Sequence, residues 1–361
     1  MKQYIFFSWG IRCGIVVFWT FVLALLLLVP RLHFFERNSI TVFTWSGVFS
    51  QAMIDEFEQE TGIKVYIKYY VSNEELLVKL RATQGAGYDL VIPSDYAVKK
   101  LIYEKVLKKL DKQKINFLPS LNPLLMGHFF DPQNEYAIPF EWEIYVIGFT
   151  EAFKSLQKNM PEHLWDLIFK PSHFGSGYRI VMVNDAVEAI SMATRYLYGS
   201  MTSLNETQQN AVQNLLISQR PWIEAYSSVR SDYYLGTNNV MVAMAQNAEI
   251  WRAVRDYKNI EYIVPRDTFI TIEHCAIPAG STKDDLVYLF LNFIYSKKSM
   301  QHHYDVFQYC PARIDIVNSL PATQRQKDII VSSKKAFKHY YFMQDVLSEQ
   351  KKHDVWISVK A

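Results

Sequence analysis

ITVFTWSGVFSQAMIDEFEQETGIKVYIKYY, residues 40–70, decides the fold of this chain because its hydrophobic period changes twice. Residues 40–45 are mostly apolar, β-branched or aromatic, which is typical of a buried strand. Residues 50–61 repeat apolar side chains every three or four positions, as an amphipathic helix does. Residues 63–70 alternate apolar and polar side chains, as a second strand does. The stretch therefore predicts a β-α-β unit.

The ends of the predicted helix carry residue types that helix termini favour. Ser50 can accept a hydrogen bond from a backbone N–H of the first turn. Gly62 stands where the chain leaves the helix, and glycine adopts the left-handed conformation needed there without strain. Met53, Ile54 and Phe57 share one face, which we expect to pack against the sheet.

The alternation of strands and helices continues along the chain. YDLVIP (88–93) predicts a third strand and AVKKLIYEKVLKKL (97–110) a helix. EYAIPFEWEIYVIGF (135–149) predicts extended chain that crosses between two units, and HLWDLIFKP (163–171) a further helix. This order is typical of an α/β protein whose parallel sheet is covered by helices. The short linkers favour lobes joined by paired strands over separate domains.

Length and composition favour a two-domain protein without an affinity for nucleic acid. The chain has 361 residues, of which 50% are hydrophobic, and a formal net charge of +2. Residues 1–37 contain four basic residues and one acidic residue, so the remaining chain has 34 basic and 35 acidic residues, a net charge of −1. No broad positive field remains to attract nucleic acid.

The N-terminal residues 1–37 are predicted to be a targeting segment. Residues 14–30 are an unbroken apolar run, preceded by Lys2 and Arg12. No clear small-residue cleavage site follows, so we expect an uncleaved signal anchor, with its basic end in the cytoplasm and the rest exported. A cleaved signal peptide is the alternative.

The cysteines and a histidine pair invite other interpretations. Cys275 lies in an apolar strand-like run and is expected to be a plain buried thiol, although pairing with Cys310 stays open. Adjacent side chains on a helix point apart, so His302 and His303 are expected to be a surface pair and not metal ligands. We therefore predict no metal site and no cofactor.

Acidic, aromatic and hydroxyl side chains follow the predicted strands. Ligands of open α/β sheets bind beyond the carboxyl ends of the strands, where these side chains are expected to meet. They are Trp45, Ser46, Ser94, Asp95, Tyr96, Asp185, Glu188 and Glu273. Such a set suits an organic cation, because carboxylates bind ammonium groups and aromatic faces attract them. In VMVNDAVEAI (181–190), however, the acids could equally serve only to cap a helix.

Several segments together resemble one bacterial family. TWSGVFSQAMIDEFEQETGIKV, YVSNEELLVKL, YDLVIPSDY, DPQNEYAIPFEW, VNDAVEAI and AIPAGS occur in the order and spacing of the spermidine/putrescine-binding proteins, over about residues 40–350. The resemblance implies a hinged, two-lobed periplasmic-binding-protein fold of type II, with its ligand cleft between the lobes. The expected order is lobe 1 (38–146), lobe 2 (147–272), a return to lobe 1 (273–308), and a return to lobe 2 with C-terminal helices (309–361).

The resemblance also implies which side chains line the cleft. Carried over position by position, they are Trp45, Ser46, Ser94, Tyr96, Asp185, Glu188, Glu273, Tyr309 and Gln344. The chain departs from the pattern at Val48, where the family usually has tyrosine, and at Met244 and Thr271, where it has tryptophan. Trp142 and Trp251 are candidates to replace the missing rings.

The implied function is that of an extracytoplasmic binding protein, not an enzyme. We expect such a protein to capture polyamines such as putrescine and spermidine in the periplasm and to deliver them to the permease of an ABC importer, with the N-terminal segment as its anchor in the inner membrane if that segment is not cleaved. One alternative keeps the fold and binds another organic cation or an amino-acid-like solute. Remoter alternatives are a carboxylate-dependent hydrolase and a membrane-tethered sensor or adhesin.

Overall fold

A computed structural model describes residues 13–25, 38–156 and 160–361 of the protein. Residues 40–361 form one compact unit, whose architecture follows from the order of its elements. The strands are β1 (Ser39–Trp45), β2 (Lys64–Tyr70), β3 (Leu90–Val91), β4 (Ala137–Thr150), β5 (Ile180–Met182), β6 (Ile223–Tyr226), β7 (Val242–Gln246), β8 (Ile260–Ile263), β9 (Thr268–Ala276), β10 (Cys310–Pro311) and β11 (Tyr340–Phe342). Residues 13–25 are helical (α1). The other α-helices are α2 (Gln51–Thr61), α3 (Asn73–Thr83), α4 (Asp95–Tyr103), α5 (Glu151–Leu156), α6 (Asp166–Phe169), α7 (Ala186–Tyr198), α8 (Glu206–Gln219), α9 (Ser231–Gly236), α10 (Asn247–Asp256), α11 (Asp284–Ile294), α12 (Lys297–Phe307), α13 (Gln324–Val331), α14 (Lys334–Phe337) and α15 (Glu349–Lys360).

The predicted targeting segment is described only in part. Residues 1–39 form a second compact unit, in which α1 is the described helix. The rest of the predicted segment, residues 1–12 and 26–37, lies outside the described residues. Among the residues that the structure does describe, no helix is both long enough and apolar enough to cross a membrane.

The β-α-β unit predicted from residues 40–70 is present, with both helix ends as expected. The Ser50 hydroxyl accepts a hydrogen bond from the backbone N–H of Met53 at 3.2 Å, which begins α2. Gly62 ends α2 in the left-handed conformation, with φ of 69°. Met53 and Phe57 are buried against the sheet.

The sheet contains both parallel and antiparallel strand pairs, so the parallel sheet predicted from the sequence is only partly right. Its order is β2-β1-β3-β9-β4-β7-β5-β6, with β8 and β10 paired to β4, and β11 paired to β9. Pairs β1–β3, β5–β6 and β5–β7 are parallel, as β-α-β units require. Pairs β3–β9 and β4–β9 are antiparallel. The difference arises because β9 returns to β3 from a distant part of the chain, not through a β-α-β crossover.

Strand β4 joins the two halves of this sheet. Residues 137–144 pair with β9, whereas residues 145–149 pair with β7, and β8 pairs with residues 147–150. All fourteen residues of β4 are buried. The extended crossing chain predicted over residues 135–149 is therefore confirmed.

Two groups of helices cover different halves of the sheet. Helices α3 and α4 pack into one apolar cluster through Leu76, Leu80 and Val98. Helices α7 and α15 pack into another through Ile190 and Val355. Contacts between these groups therefore connect opposite halves of the sheet.

Two predicted helices are shorter than expected. The helix predicted over residues 97–110 ends at Tyr103, because Lys105 adopts a positive φ of 58° that a continuing helix does not permit. The helix predicted over residues 163–171 is reduced to α6, which ends before Pro171.

The cysteine prediction is confirmed and the histidine prediction is wrong in part. Cys275 and Cys310 are buried free thiols. His303 is buried on α12 and hydrogen bonds to Glu141, so the two histidines are not a surface pair. His302 does point elsewhere, and its ring nitrogen lies 2.8 Å from the Ser50 hydroxyl.

Candidate functional site

The Glu273 carboxylate is fixed by two donors from neighbouring strand ends. Trp45, at the end of β1, donates from Nε1 to Glu273 Oε2 at 2.9 Å. Ser94 follows β3 and donates from Oγ to Glu273 Oε1 at 2.6 Å. The carboxylate is therefore held in one orientation.

Ser94 can serve Glu273 because it does not cap its own helix. Its side chain makes no capping hydrogen bond to α4. Instead, the buried amide of Asn73 donates to Ser94 Oγ at 3.0 Å and accepts from the Ser94 N–H at 3.3 Å. Asn73 thus aims the hydroxyl at Glu273.

Asp185 is a helix cap and also a member of the acidic site. It accepts a hydrogen bond from the Glu188 N–H at 3.0 Å at the start of α7. Burial, together with the nearby carboxylate of Glu74, raises the pKa of Asp185 to about 6. Capping and charge placement are consequently two roles of one residue.

Glu188 connects the two sides of the site. Burial raises the pKa of Glu188 well above its usual range, and the carboxyl groups of Asp185 and Glu273 add to the rise. The Tyr145 hydroxyl lies within hydrogen-bonding reach of Glu188. Glu188 on α7 therefore interacts electrostatically with Glu273 on β9, although the two elements belong to different halves of the sheet.

Tyr96 lies beside the same acids. It is 9% exposed, and burial raises its pKa well above the usual range, with contributions from Asp185, Glu74 and Glu188. Tyr96 lies in the first turn of α4, and its ring packs into the apolar cluster that contains Tyr145. The structure thus brings together Trp45, Ser94, Tyr96, Asp185, Glu188 and Glu273.

These converging carboxyl groups favour a positively charged guest. Burial raises the pKa of Glu273 to about 8, and the Glu141 carboxyl adds to the rise, while the hydrogen bonds from Ser94 and Trp45 oppose it. A raised pKa means that burial and neighbouring carboxyl groups disfavour the ionised form, and that positive charge nearby does not fully offset them. An ammonium group placed among the acids would supply that charge and form charge-assisted hydrogen bonds.

The sequence analysis missed acids on β4. Glu141 and Glu143 are buried and lie on one face of the strand, because side chains alternate along it. Burial raises the pKa of both well above the usual range. The signal was visible in EWEIY (141–145), where charges alternate with apolar residues inside a buried strand.

Tyr309 and Ser46 border a second part of the site, a cavity of about 280 Å³. Glu249, Gln246 and Arg252 also line it. Burial raises the pKa of Tyr309 well above its usual range, and the nearby carboxyl groups of Glu141 and Glu143 add to the rise. Glu249, in the first turn of α10, accepts from the Ser231 N–H at 2.8 Å, and it was not predicted from the sequence as a site residue.

The missing aromatic residues are not replaced by the candidates named from the sequence. Trp142 and Trp251 are 0% and 1% exposed and belong to the apolar core, so the expectation that they replace cleft rings is wrong. Val48 and Met244 are also fully buried. The residue near Met244 that reaches the cavity is Gln246.

Gln344 lines a cavity together with Tyr96, and the lining of this cavity does not include Asp185, Glu188 or Glu273. The cavity has a volume of about 320 Å³. Gln344 is exposed, and its backbone carbonyl accepts from the Ser191 hydroxyl at 2.9 Å. Its predicted role in ligand binding stays a prediction.

The described residues do not form a metal site. Over residues 13–25, 38–156 and 160–361, no group of three or more His, Cys, Asp or Glu side chains is arranged to hold a metal ion.

Sequence comparison places these features in one family. Residues 52–329 match the family described as bacterial extracellular solute-binding protein. The chain is 29% identical over 287 residues to the putrescine-binding periplasmic protein SpuD of Pseudomonas aeruginosa, covering 76% of this chain and 78% of that protein. It is 29% identical over 273 residues to the spermidine/putrescine-binding periplasmic protein of Escherichia coli, covering 75% and 76%.

Structure comparison confirms the predicted fold class. The spermidine/putrescine ABC transporter substrate-binding protein PotD of Streptococcus pneumoniae superposes with a TM-score of 0.72 at 23% identity, covering 90% of this chain and 98% of that chain. The two-lobed α/β fold of periplasmic binding proteins is thereby confirmed. The relatives are named as binding proteins and not as enzymes, and as periplasmic, which agrees with an extracytoplasmic protein without catalytic activity. The chain belongs to the bacterial extracellular solute-binding proteins.

Proposed function

We propose that this protein binds polyamines in the periplasm and delivers them to the permease of an ABC importer. The observation that carries the proposal is the convergence of Asp185, Glu188 and Glu273 from different halves of the sheet. Relatives named for putrescine and spermidine binding support it. The acids meet the ammonium groups, and Trp45 and Tyr96 contribute ring surface to the methylenes and to the charge.

The two lobes close over the ligand in this proposal. Lobe 1 is proposed to consist of residues 38–146 and 273–308, and lobe 2 of residues 147–272 and 309–361. The change of partners along β4 between residues 144 and 145 supports the first boundary. Because acids from both lobes contact one guest, its binding favours the closed arrangement.

Isothermal titration with putrescine, spermidine and spermine tests the proposal. We expect micromolar or tighter dissociation constants for at least one of them, about −8 kcal/mol. At a ligand concentration of about 100 times the dissociation constant, the midpoint of thermal unfolding should rise by about 5 °C. Glutamate at the same concentrations is the matched anionic control and should change neither readout. Absence of heat and of thermal shift with all three polyamines would contradict the proposal.

A compact organic cation is the second candidate ligand. Thr271 lies on β9 where related proteins are expected to present a ring, and Val48 is buried, so the aromatic wall on that side is small. A smaller hydrophobic wall reduces the contribution of long methylene chains. The same titration with choline and with amino-acid amides distinguishes this candidate, because it predicts tighter binding than any polyamine shows.

We also propose that residues 1–37 anchor the protein to the inner membrane. The support is the apolar run over residues 14–30, with basic residues before it and no clear cleavage site after it. N-terminal sequencing of the protein purified from membranes should find the original N-terminus. A mature chain that starts near residue 38 would instead demonstrate cleavage.

A further inference from the structure

A buried lysine links the two groups of helices next to the acidic site. Lys352 on α15 is 4% exposed. Its ammonium group lies 3.0 Å from Asp345, 3.2 Å from Glu349 and 3.4 Å from Glu74 on α3. Lys100 on α4 contacts two of the same acids, Asp345 at 2.7 Å and Glu349 at 2.8 Å. We call these five residues the charge cluster.

The charge cluster is continuous with the proposed ligand site. Glu188 interacts electrostatically with Glu273 on one side and with Asp185 on the other. Asp185 in turn interacts with Glu74 and with Lys352. Glu74 directly follows Asn73, the residue that holds Ser94 against Glu273, and the Lys352 ammonium group lies 3.4 Å from Glu74. We call Glu273, Glu188, Asp185 and Glu74 the acidic row.

Lys352 stays charged in this position. Burial alone lowers the pKa of Lys352, but the carboxylates of Asp345 and Glu74 outweigh that effect and raise it. The contacts to three carboxylates also fix the position of the ammonium group. The protein therefore holds a permanent cation 3.4 Å from Glu74, next to the acids that are proposed to bind the ligand.

We propose that Lys352 is a specificity-determining residue. Its own ammonium group occupies the end of the acidic row that Asp185 and Glu74 form, so that a ligand ammonium group does not bind there. This inference rests on the proposed polyamine binding. Glu188 and Glu273 meet the two ammonium groups of a diamine, and Asp185 adds negative charge beside them, so a diamine is preferred over a longer triamine. Because Lys352 already neutralises Glu74, a third ammonium group near Asp185 would gain little attraction at that end and would also lie near the Lys352 charge, in a site where burial weakens solvent screening.

A purely structural role makes a different prediction. If Lys352 only connects α15 to α3, its removal loosens lobe closure and weakens the binding of every ligand in proportion. If Lys352 selects by charge and length, its removal changes the ratio of the affinities for a triamine and a diamine. The ratio is therefore the readout, and not either affinity alone.

Titration of putrescine and spermidine into four proteins tests the inference. These are the wild type, Lys352→Met, Lys352→Arg and the control Lys351→Met, which removes a neighbouring lysine. In Lys352→Met, the affinity for spermidine relative to putrescine should rise about tenfold, since an obstructing charge is removed. The ratio should stay within about twofold of the wild type in Lys352→Arg and in Lys351→Met, because neither removes the charge of Lys352. An unchanged ratio in folded Lys352→Met overturns the inference.

The wild type supplies a second test that does not depend on the folding of a variant. Putrescine should bind at least as tightly as spermidine. A wild type that binds spermidine about tenfold more tightly than putrescine overturns the role of Lys352 and leaves polyamine binding intact. A wild type that binds neither overturns the proposed function itself, and the inference with it.

Discussion

The Glu273→Gln variant is expected to bind polyamines about 100-fold more weakly than the wild type. Glu273 is oriented by Trp45 and Ser94, so its carboxylate meets a ligand ammonium group without further ordering. A charge-assisted hydrogen bond contributes roughly 1.5–3 kcal/mol, which corresponds to about tenfold to over a hundredfold in affinity. Because the carboxylate is held in a fixed orientation, we expect the loss of affinity to lie near the upper end of this range. Titration of the variant with the tightest polyamine measures it.

The stability of the same variant should move in the opposite direction. The pKa of Glu273 is raised to about 8, so the ionised carboxylate destabilises the unliganded fold at alkaline pH. Glutamine removes that charge and keeps the size of the side chain. We therefore expect thermal unfolding of the unliganded variant at pH 8.5 to occur at or above the wild-type temperature.

The exposed Glu224 provides the matched control. Glu224→Gln removes the same charge from β6, where the side chain is exposed to solvent. Its affinity should stay within about twofold of the wild type, because exposed charges at a distance are screened. Equal losses in both variants would mean that overall charge attracts the ligand, and that Glu273 does not contact it.

Local sequence patterns predicted the helices and strands that carry the site, but they predicted less well which of its side chains are buried. The β-α-β unit over residues 40–70 and the crossing strand β4 were readable, because hydrophobic period and capping residues act within a few positions. The resemblance added the order of the site residues. Asp185 and Glu273 both interact electrostatically with Glu188, although nothing within VMVNDAVEAI distinguishes a cap from a binding residue.

Burial from distant parts of the chain could not be read from sequence. Trp142 and Trp251 are aromatic residues beside acids, and only the packing of β4 and α10 into the core hides their rings. His303 is buried on α12, where its ring hydrogen bonds to the carboxyl group of Glu141 on β4, and 162 positions separate the two residues in the sequence. Such pairs depend on tertiary contacts that no periodicity encodes.

Polyamine affinity is expected to fall by at least tenfold between pH 8 and pH 6. Primary amines with pKa values of about 10 stay protonated throughout this range, so the change belongs to the protein. Glu273, with a pKa of about 8, is about 99% protonated at pH 6 and must lose its proton to meet an ammonium group. Asp185, with a pKa of about 6, adds to the loss as the pH falls further. Binding therefore releases protons, and titrations at pH 7 in buffers of different ionisation enthalpy should detect them.

The stability of the unliganded protein should show the opposite pH dependence. In the unfolded chain Glu273 titrates near 4.5, and in the folded chain near 8, so between these values the folded state holds the extra proton. Its contribution to stability is complete below about pH 4.5 and is lost as the pH rises through about 8. Glu273→Gln lacks this group, so both its affinity and its stability should depend less on pH. An affinity that is constant from pH 6 to pH 8, or that rises as the pH falls, would show that the ionised acids do not hold the ligand.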